Sequence, residues 1–460
     1  MKVNETVQIY CMLNNILYHF KNGEKRNIML RNNILLSALL KTIGIATSLL
    51  IVPITLTYLD NEEYGIWLTI SSILYWFSFF DIGLGNGMRN YLTLAISTND
   101  FNKGRAYLST TLTILSVLAC AIGLLSLIPL SLLNFNHVLN TEALSNGTLR
   151  NVITIAVFFT LANFVVKNIG FVFVALQKFA MNDLLIVSGN VIALIIIFIL
   201  TKTTDRNLLY IVMAFTITPV LVFVIASIPI FIKYPKLRPS FRYYDQKLTK
   251  NIVGKGIGFF FIQITSCLVI YGSSNLFIAQ FCGPKNVTTY NIAYKFFNLL
   301  AIAYTIVISP MWNAYTDAYV KGDINWIRKT FFRSIKLWGL TVLGGIFLLM
   351  ICNMFYHFWV GNAVTVPFGV SMSVLIYICA FNFNNCVTYL LNGLNKIYVQ
   401  ILTSVIFTAV YVILLSFYGK GFGVDGIVLC MALSYAAMSC IHFYQCRLLI
   451  SQKAKGIWNK

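Results

Sequence analysis

Carboxylates are scarce in this chain: 14 Asp and Glu stand against 34 Lys and Arg in 460 residues, and only 10% of residues are charged at all. With 58% hydrophobic residues and a mean hydropathy of +0.78, that much polar surface cannot cover a soluble core. Histidine is also rare. His19, His137, His357 and His442 are scattered over helix ends and loops, where they read as interfacial or solvated side chains. The ten cysteines form no C-x-x-C pair and have no histidine at ligand spacing, so they read as small core residues, not as zinc ligands or disulfides. There is no Ser/His/Asp grouping, no phosphate-binding glycine loop and no pair of carboxylates within one helix. No connection between apolar runs exceeds about twenty residues, far short of the roughly hundred that make a typical soluble domain. These absences weigh against a membrane glycosyltransferase, ligase or polymerase and against an ATP-driven pump in a single chain.

What is present is a series of apolar runs. Twelve windows reach spanning length, at roughly 33–58, 66–85, 106–131, 151–176, 183–201, 208–233, 252–280, 289–311, 330–352, 364–393, 398–418 and 425–449. They predict an all-α polytopic membrane protein with two six-helix bundles around a central cavity. The expected division is a segment 1–32, a bundle 33–233, a basic connection 234–251, a second bundle 252–449 and a tail 450–460. No signal-peptide pattern opens the chain, so the first spanning helix is expected to target itself to the membrane. Of the 34 Lys and Arg, 26 fall on the side shared by both termini, 5 on the other, and 3 (Lys41, Lys167, Lys295) within helices. By the positive-inside rule both termini are expected in the cytoplasm, and the net charge of +20 reflects topology and not nucleic-acid binding. The halves share a short pattern, D-[FI]-N-x-x-R, at Asp100–Arg105 and Asp323–Arg328, each just before the third helix of its half.

Candidate site residues follow from charge in hydrocarbon. Lys41, Lys167 and Lys295 lie deep in helices, Arg89 and Lys255 mark cytoplasmic helix ends, and Asp81 is the one comparable carboxylate. Ionisable groups at that depth face protein, water or a ligand, so the set predicts an anion-binding cavity. The alternatives are snorkelling for Lys255 and Arg89 and intramembrane ion pairs for the lysines. Asn291 and Asn298 flank Lys295 on one helix face, and Asn382, Asn384, Asn385 and Asn392 thicken the tenth helix. Of these, Asn291, Asn298, Asn382 and Asn385 are candidate sugar contacts, with interhelical packing bonds as the alternative. Gly83, Gly85 and Gly87, between Asp81 and Arg89, suit close packing and flexing at a cytoplasmic gate.

The stretch Tyr64–Asn90, with Y-G-I-W-L-T-I followed by F-F-D-I-G-L-G-N-G-M-R-N, resembles the second-helix signature of Wzx-type polysaccharide flippases. These belong to the multidrug/oligosaccharidyl-lipid/polysaccharide exporter superfamily. The resemblance implies a non-enzymatic carrier of the bacterial inner membrane. It would move undecaprenyl-diphosphate-linked oligosaccharide, of O-antigen or capsule, to the periplasmic leaflet by alternating access. It implies that cavity cations meet the lipid diphosphate, with Lys41, Arg89 and Lys295 the matching positions and Lys167 placed by topology. No cofactor is implied; a proton or sodium gradient or the membrane potential would supply the drive, with Asp81 as the gating or coupling group. Membrane lipids and other polysaccharide-assembly proteins are candidate partners. A cation-coupled multidrug antiporter of the same superfamily is the rival, and it would expose carboxylates to its substrate.

Overall fold

The computed structural model describes residues 25–77, 84–253, 273–418 and 421–459. Among them there is no strand, and ten helices are long and apolar enough to cross a membrane. The two remaining predicted windows, 66–85 and 252–280, are each only partly described.

The first half contains α1 (Lys25–Tyr58), α2 (Asn61–Tyr75), α3 (Leu84–Ser97), α4 (Phe101–Leu132), the short α5 (Phe135–Leu139), α6 (Asn146–Val166), α7 (Ile169–Ala175), α8 (Phe179–Thr203) and α9 (Leu208–Lys233). A connection with α10 (Gln246–Val253) leads to the second half. There the order is α11 (Ser274–Cys282), α12 (Pro284–Ile308), α13 (Met311–Val320), α14 (Ile324–Val360), α15 (Phe368–Gly393), α16 (Tyr398–Tyr418) and α17 (Gly423–Ile450). Within the first bundle α1 packs on α8, α9 on both α8 and α6, and α4 on α3 and α6. In the second, α15 is central, packed between α12, α14 and α17. Leu124, Leu125, Ile128, Phe347, Met350 and Phe358 are exposed on the outer faces, as lipid-facing side chains must be.

The short repeated pattern marks a repeated backbone device. The Asp100 side chain caps α4 by accepting from the Lys103 N–H at 3.1 Å, and Asp323 caps α14 by accepting from the Trp326 N–H at 2.9 Å. In front of them, Asn99 (φ 58°) and Gly322 (φ 72°) take left-handed backbone, so each preceding helix ends and the chain turns at once into the next. The backbone N–H of Asp100 returns to the Ala95 carbonyl at 2.8 Å, and that of Asp323 to Ala318 at 2.9 Å. A second pair of turns matches as well. Gln177 (φ 61°) and Asn395 (φ 56°) end α7 and α15, with Lys178 bonded to the Phe173 carbonyl and Lys396 to that of Leu391, both at 2.9 Å.

The second spanning helix of the second half is interrupted: α12 stops at Ser309–Pro310 and α13 continues. Proline at position 310 cannot donate its N–H back into α12, which accounts for the break. The fourth spanning helix breaks between α6 and α7 at Lys167–Asn168.

The apolar core divides by depth. One large cluster runs through both bundles and includes Val52, Trp67, Leu161 and Ile211 of the first with Ala293, Phe297, Tyr377 and Met431 of the second. Toward the basic end it gives way to two separate clusters. Met88, Leu92, Leu108, Val172 and Phe223 belong wholly to the first bundle, and Tyr304, Tyr315, Phe331, Leu390 and Cys446 wholly to the second. Among the described residues the buried apolar clusters are therefore shared between the bundles at one end and separate at the other.

Candidate functional site: the inter-bundle cleft

The closed end is organised by the turn Asp60-Asn61-Glu62-Glu63 between α1 and α2. Asp60 caps α2 by accepting from the N–H groups of Glu62 (2.9 Å) and Glu63 (2.8 Å), which fixes the turn. Its side chains then reach neighbours on both bundles. Arg206, after α8, pairs with Asp60 (2.9 Å) and Glu63 (3.3 Å), and the Thr141 hydroxyl donates to Glu62. Across the interface Lys285 approaches Glu62 (3.9 Å), Thr288 donates to the Asn61 carbonyl (2.7 Å) and the Asn61 amide donates to the Ala363 carbonyl. Glu63 lies in the turn ahead of the span and is 4% exposed. Burial raises its pKa above the usual carboxylate value, and the Arg206 guanidinium partly offsets this. Sequence reasoning missed this latch, although four consecutive polar residues between two apolar runs were a visible signal.

Deeper in, the Asn275 amide donates to the Leu68 carbonyl (3.1 Å) and accepts from Asn291 (2.8 Å), and the Trp359 indole donates to the Leu49 carbonyl (2.9 Å). The deepest bridge is Lys295, whose ammonium donates to the Ser48 carbonyl at 3.4 Å. Lys295 is eleven residues from the start of α12, about 16 Å along the helix and so near mid-membrane. The bridges made by Asn61, Lys285, Thr288, Asn275, Trp359 and Lys295 all lie between this level and the closed end.

The candidate site residues can now be placed. Lys41 is exposed and precedes Ser48 by seven residues, so it lies on nearly the same face of α1, about 10 Å further toward the basic end. Lys295 is half-buried, and neither lysine has a carboxylate partner among the described residues. Asn298 shares the Lys295 face and is half-buried, whereas Asn291 is engaged in the bridge to Asn275. Arg89, on α3, is half-buried and donates to the Asn90 side chain at 3.3 Å. Gly85 is buried where α3 crosses α7, and a β-carbon there would collide with the Asn168 and Phe171 side chains; Gly87 is half-buried one turn on. Lys167 sits at the α6–α7 break, 5.6 Å from the Phe164 ring, apart from the Lys41–Lys295 pair and on a separate cavity within the first bundle. Asn382 is sealed in the second bundle at 1% exposure, and Asn385 is half-buried one turn later. Asp81, Gly83 and Lys255 lie outside the described residues.

Two helical bundles built from membrane-spanning helices and bridged near mid-membrane by Lys295 have the architecture of a polytopic membrane transporter. The protein family described as "Polysaccharide biosynthesis protein" matches residues 30–312, and the chain belongs to it. A relative from Salmonella typhi named "Putative O-antigen transporter" is 24% identical over 339 residues, spanning 70% of this chain and 71% of that protein. A second, of the same name from Salmonella typhimurium, is 23% identical over 403 residues, spanning 83% and 87%. These relatives are named as transporters, which groups the chain with carriers and not with enzymes. The solved structure titled an inward-facing conformation of a multidrug resistance MATE family transporter of the MOP superfamily has the same fold. It superposes with a TM-score of 0.74 at 12% identity, over 91% of this chain and 98% of that one.

Proposed function

We propose that this protein is a flippase of the bacterial inner membrane that carries an undecaprenyl-diphosphate-linked oligosaccharide from the cytoplasmic to the periplasmic leaflet. Both termini, and with them the open end of the cleft, face the cytoplasm. The observation that carries this reading is Lys295, which bridges the bundles near mid-membrane, with Lys41 two turns of α1 away from its Ser48 contact and neither lysine paired to a carboxylate among the described residues. An ammonium at mid-membrane is stable only beside water or an anion, and a diphosphate supplies the anion. Substrate enters from the basic end, its diphosphate meets Lys41 and then Lys295, and closure of that end accompanies release of the latch. The membrane potential or an ion gradient drives the cycle. Arg89 and Lys255 guide the diphosphate at the entrance, and Asp81 with its neighbouring glycines serves the gate. A cation antiporter would need carboxylates in the cleft, and the described residues there contribute ammonium groups and amides.

Alanine at Lys41, Lys295 or Arg89 is expected to abolish surface polysaccharide in a flippase-deficient host while the protein remains in the membrane. Normal polysaccharide from all three variants overturns the anion-cleft reading. In proteoliposomes, labelled lipid-linked oligosaccharide should change leaflet without changing its chemistry.

A further inference from the structure

The first bundle contains a cavity of about 330 Å³ between the fourth, fifth and sixth spanning helices, apart from the Lys41–Lys295 pair. Asn163 and Lys167 line one wall on consecutive turns, and Asn182, Ile186 and Asn190 line the other at a strict four-residue spacing. Pro219 and Phe223 of α9 form the floor, and Phe171 of α7 closes one end. The floor is firm, because α9 packs on both α6 and α8 and Gly189 lies against Pro219. The helices that line it are themselves flanked, α8 by α1 and α7 by α3.

The lining has a definite chemistry. Three carboxamides each offer a donor pair and an acceptor, and they alternate with flat apolar surfaces, Phe171, Phe223 and Pro219. The Asn163 Oδ1 atom is buried without a hydrogen-bond partner, a cost that a donor entering the cavity would relieve. Gly170 lets α7 approach α8, since a β-carbon there would collide with the Asn182 amide and drive it into the cavity. A diphosphate would ask for several cations, and the lining has one. A pyranose ring asks for what is here: amides for its hydroxyls and aromatic faces for its C–H surface.

Resting on the reading as a lipid-linked oligosaccharide carrier, we propose that this cavity is a sugar subsite that takes one ring of the carbohydrate while the diphosphate occupies the cleft. The occupant is a polyhydroxylated ring, and the subsite selects cargo by its sugar and not by its lipid.

The test uses the full-length protein in nanodiscs and, as probe, the free repeat-unit oligosaccharide released from the host polysaccharide, which has no lipid and no diphosphate. Saturable binding to wild type is expected, weakened at least tenfold by Asn163→Leu and by Asn190→Leu. Gly170→Ala, which narrows the cavity without removing a polar group, should weaken it as well. Absence of saturable binding to wild type, or equal binding by the two leucine variants, overturns the subsite and leaves a hydrated structural cavity. Transport of the lipid-linked substrate into proteoliposomes separates this from failure of the carrier reading. Wild-type transport with unchanged KM in both leucine variants removes the subsite alone, whereas no transport by wild type removes the carrier reading, and the free-oligosaccharide arm still decides the cavity.

Discussion

Gly65 on α2 lies directly against Pro284, the first residue of α12, so that a β-carbon at position 65 would occupy the space of the Pro284 carbonyl. The two helices belong to different bundles, and no side chain stands between them at this point. Glycine is required here by contact and not by backbone conformation. Gly65→Ala is expected to force the bundles apart at the closed end, at an overpacking cost of about 1–3 kcal/mol. In a cysteine-depleted background carrying Thr288→Cys, an impermeant maleimide added from the closed side should label the Gly65→Ala protein several times faster. Equal labelling would mean that the contact yields without opening the latch.

The Glu63 carboxyl supplies a pH dependence of defined sign. Burial raises its folded-state pKa above the ordinary 4.5. The folded protein therefore binds this proton more tightly than the unfolded chain does. Its contribution to stability is present below pH 4.5 and is lost as pH rises through the raised folded value. Glu63→Gln should raise the Tm at neutral pH and flatten the change in Tm above pH 4.5. Arg206→Ala should steepen it, because the guanidinium that offsets burial is removed. Melting curves of the three proteins between pH 4 and 7.5 decide the matter.

Asp100 and Asp323 make the same cap in the two halves, so their removal should cost the same. Asp100→Ala and Asp323→Ala are each expected to lose about 1 kcal/mol of stability, with Asn or Ser at either position restoring most of it. Thermal unfolding of the four single variants tests this. A large effect at one site alone would show that the pattern is shared without the energetics being shared.

The connection between the bundles is fastened to the first one by few groups. The Arg105 guanidinium stacks 3.8 Å from the centre of the Tyr243 ring, and its Nε donates to the Arg238 carbonyl at 2.7 Å. The hydroxyls of Ser109 and Thr110 accept from the backbone N–H groups of Ser240 (3.1 Å) and Asp245 (3.0 Å). Arg105→Ala removes the stacked cation and one bond, about 1 kcal/mol at a largely exposed site. Limited proteolysis should then cut between residues 235 and 245 several-fold faster, with overall melting little changed.

The helical class and ten of the twelve expected spans are legible in the sequence because a bilayer imposes a length on every apolar run. The D-[FI]-N-x-x-R match is legible for a different reason: a chain that reverses between two helices needs a left-handed residue and then a cap, and few residue types satisfy both. The matching turns at Leu176-Gln177-Lys178 and Leu394-Asn395-Lys396 follow the same logic and could have been read as a second repeat. Which turn of α1 lies beside Lys295 was not legible. It depends on the rotation of α1 against α12, and that is fixed by Ser48, Leu49 and Trp359, none of which has a sequence signature. The Asn61 latch escaped because its partners, Thr288 and Ala363, are hundreds of residues away. Asn291 shows the limit of reading polar faces: its spacing from Lys295 is real, yet its amide is spent within the second bundle on Asn275, the residue that reaches Leu68 of the first.

The apolar core, continuous at one end and split at the other, makes the empty carrier a one-sided spring. Parting the joined end means separating Trp67, Ala293 and Phe297 from their common cluster, while the basic end has no such cluster to lose. On the proposed reading, an unloaded molecule waits with its mouth toward its supply. To invert a 99:1 preference, whatever drives the cycle must favour the opposite state by about 5.5 kcal/mol. On that reading a cargo that filled only the proposed diphosphate position would be held without being turned over, so completeness of the load would be checked by the same contacts that move it.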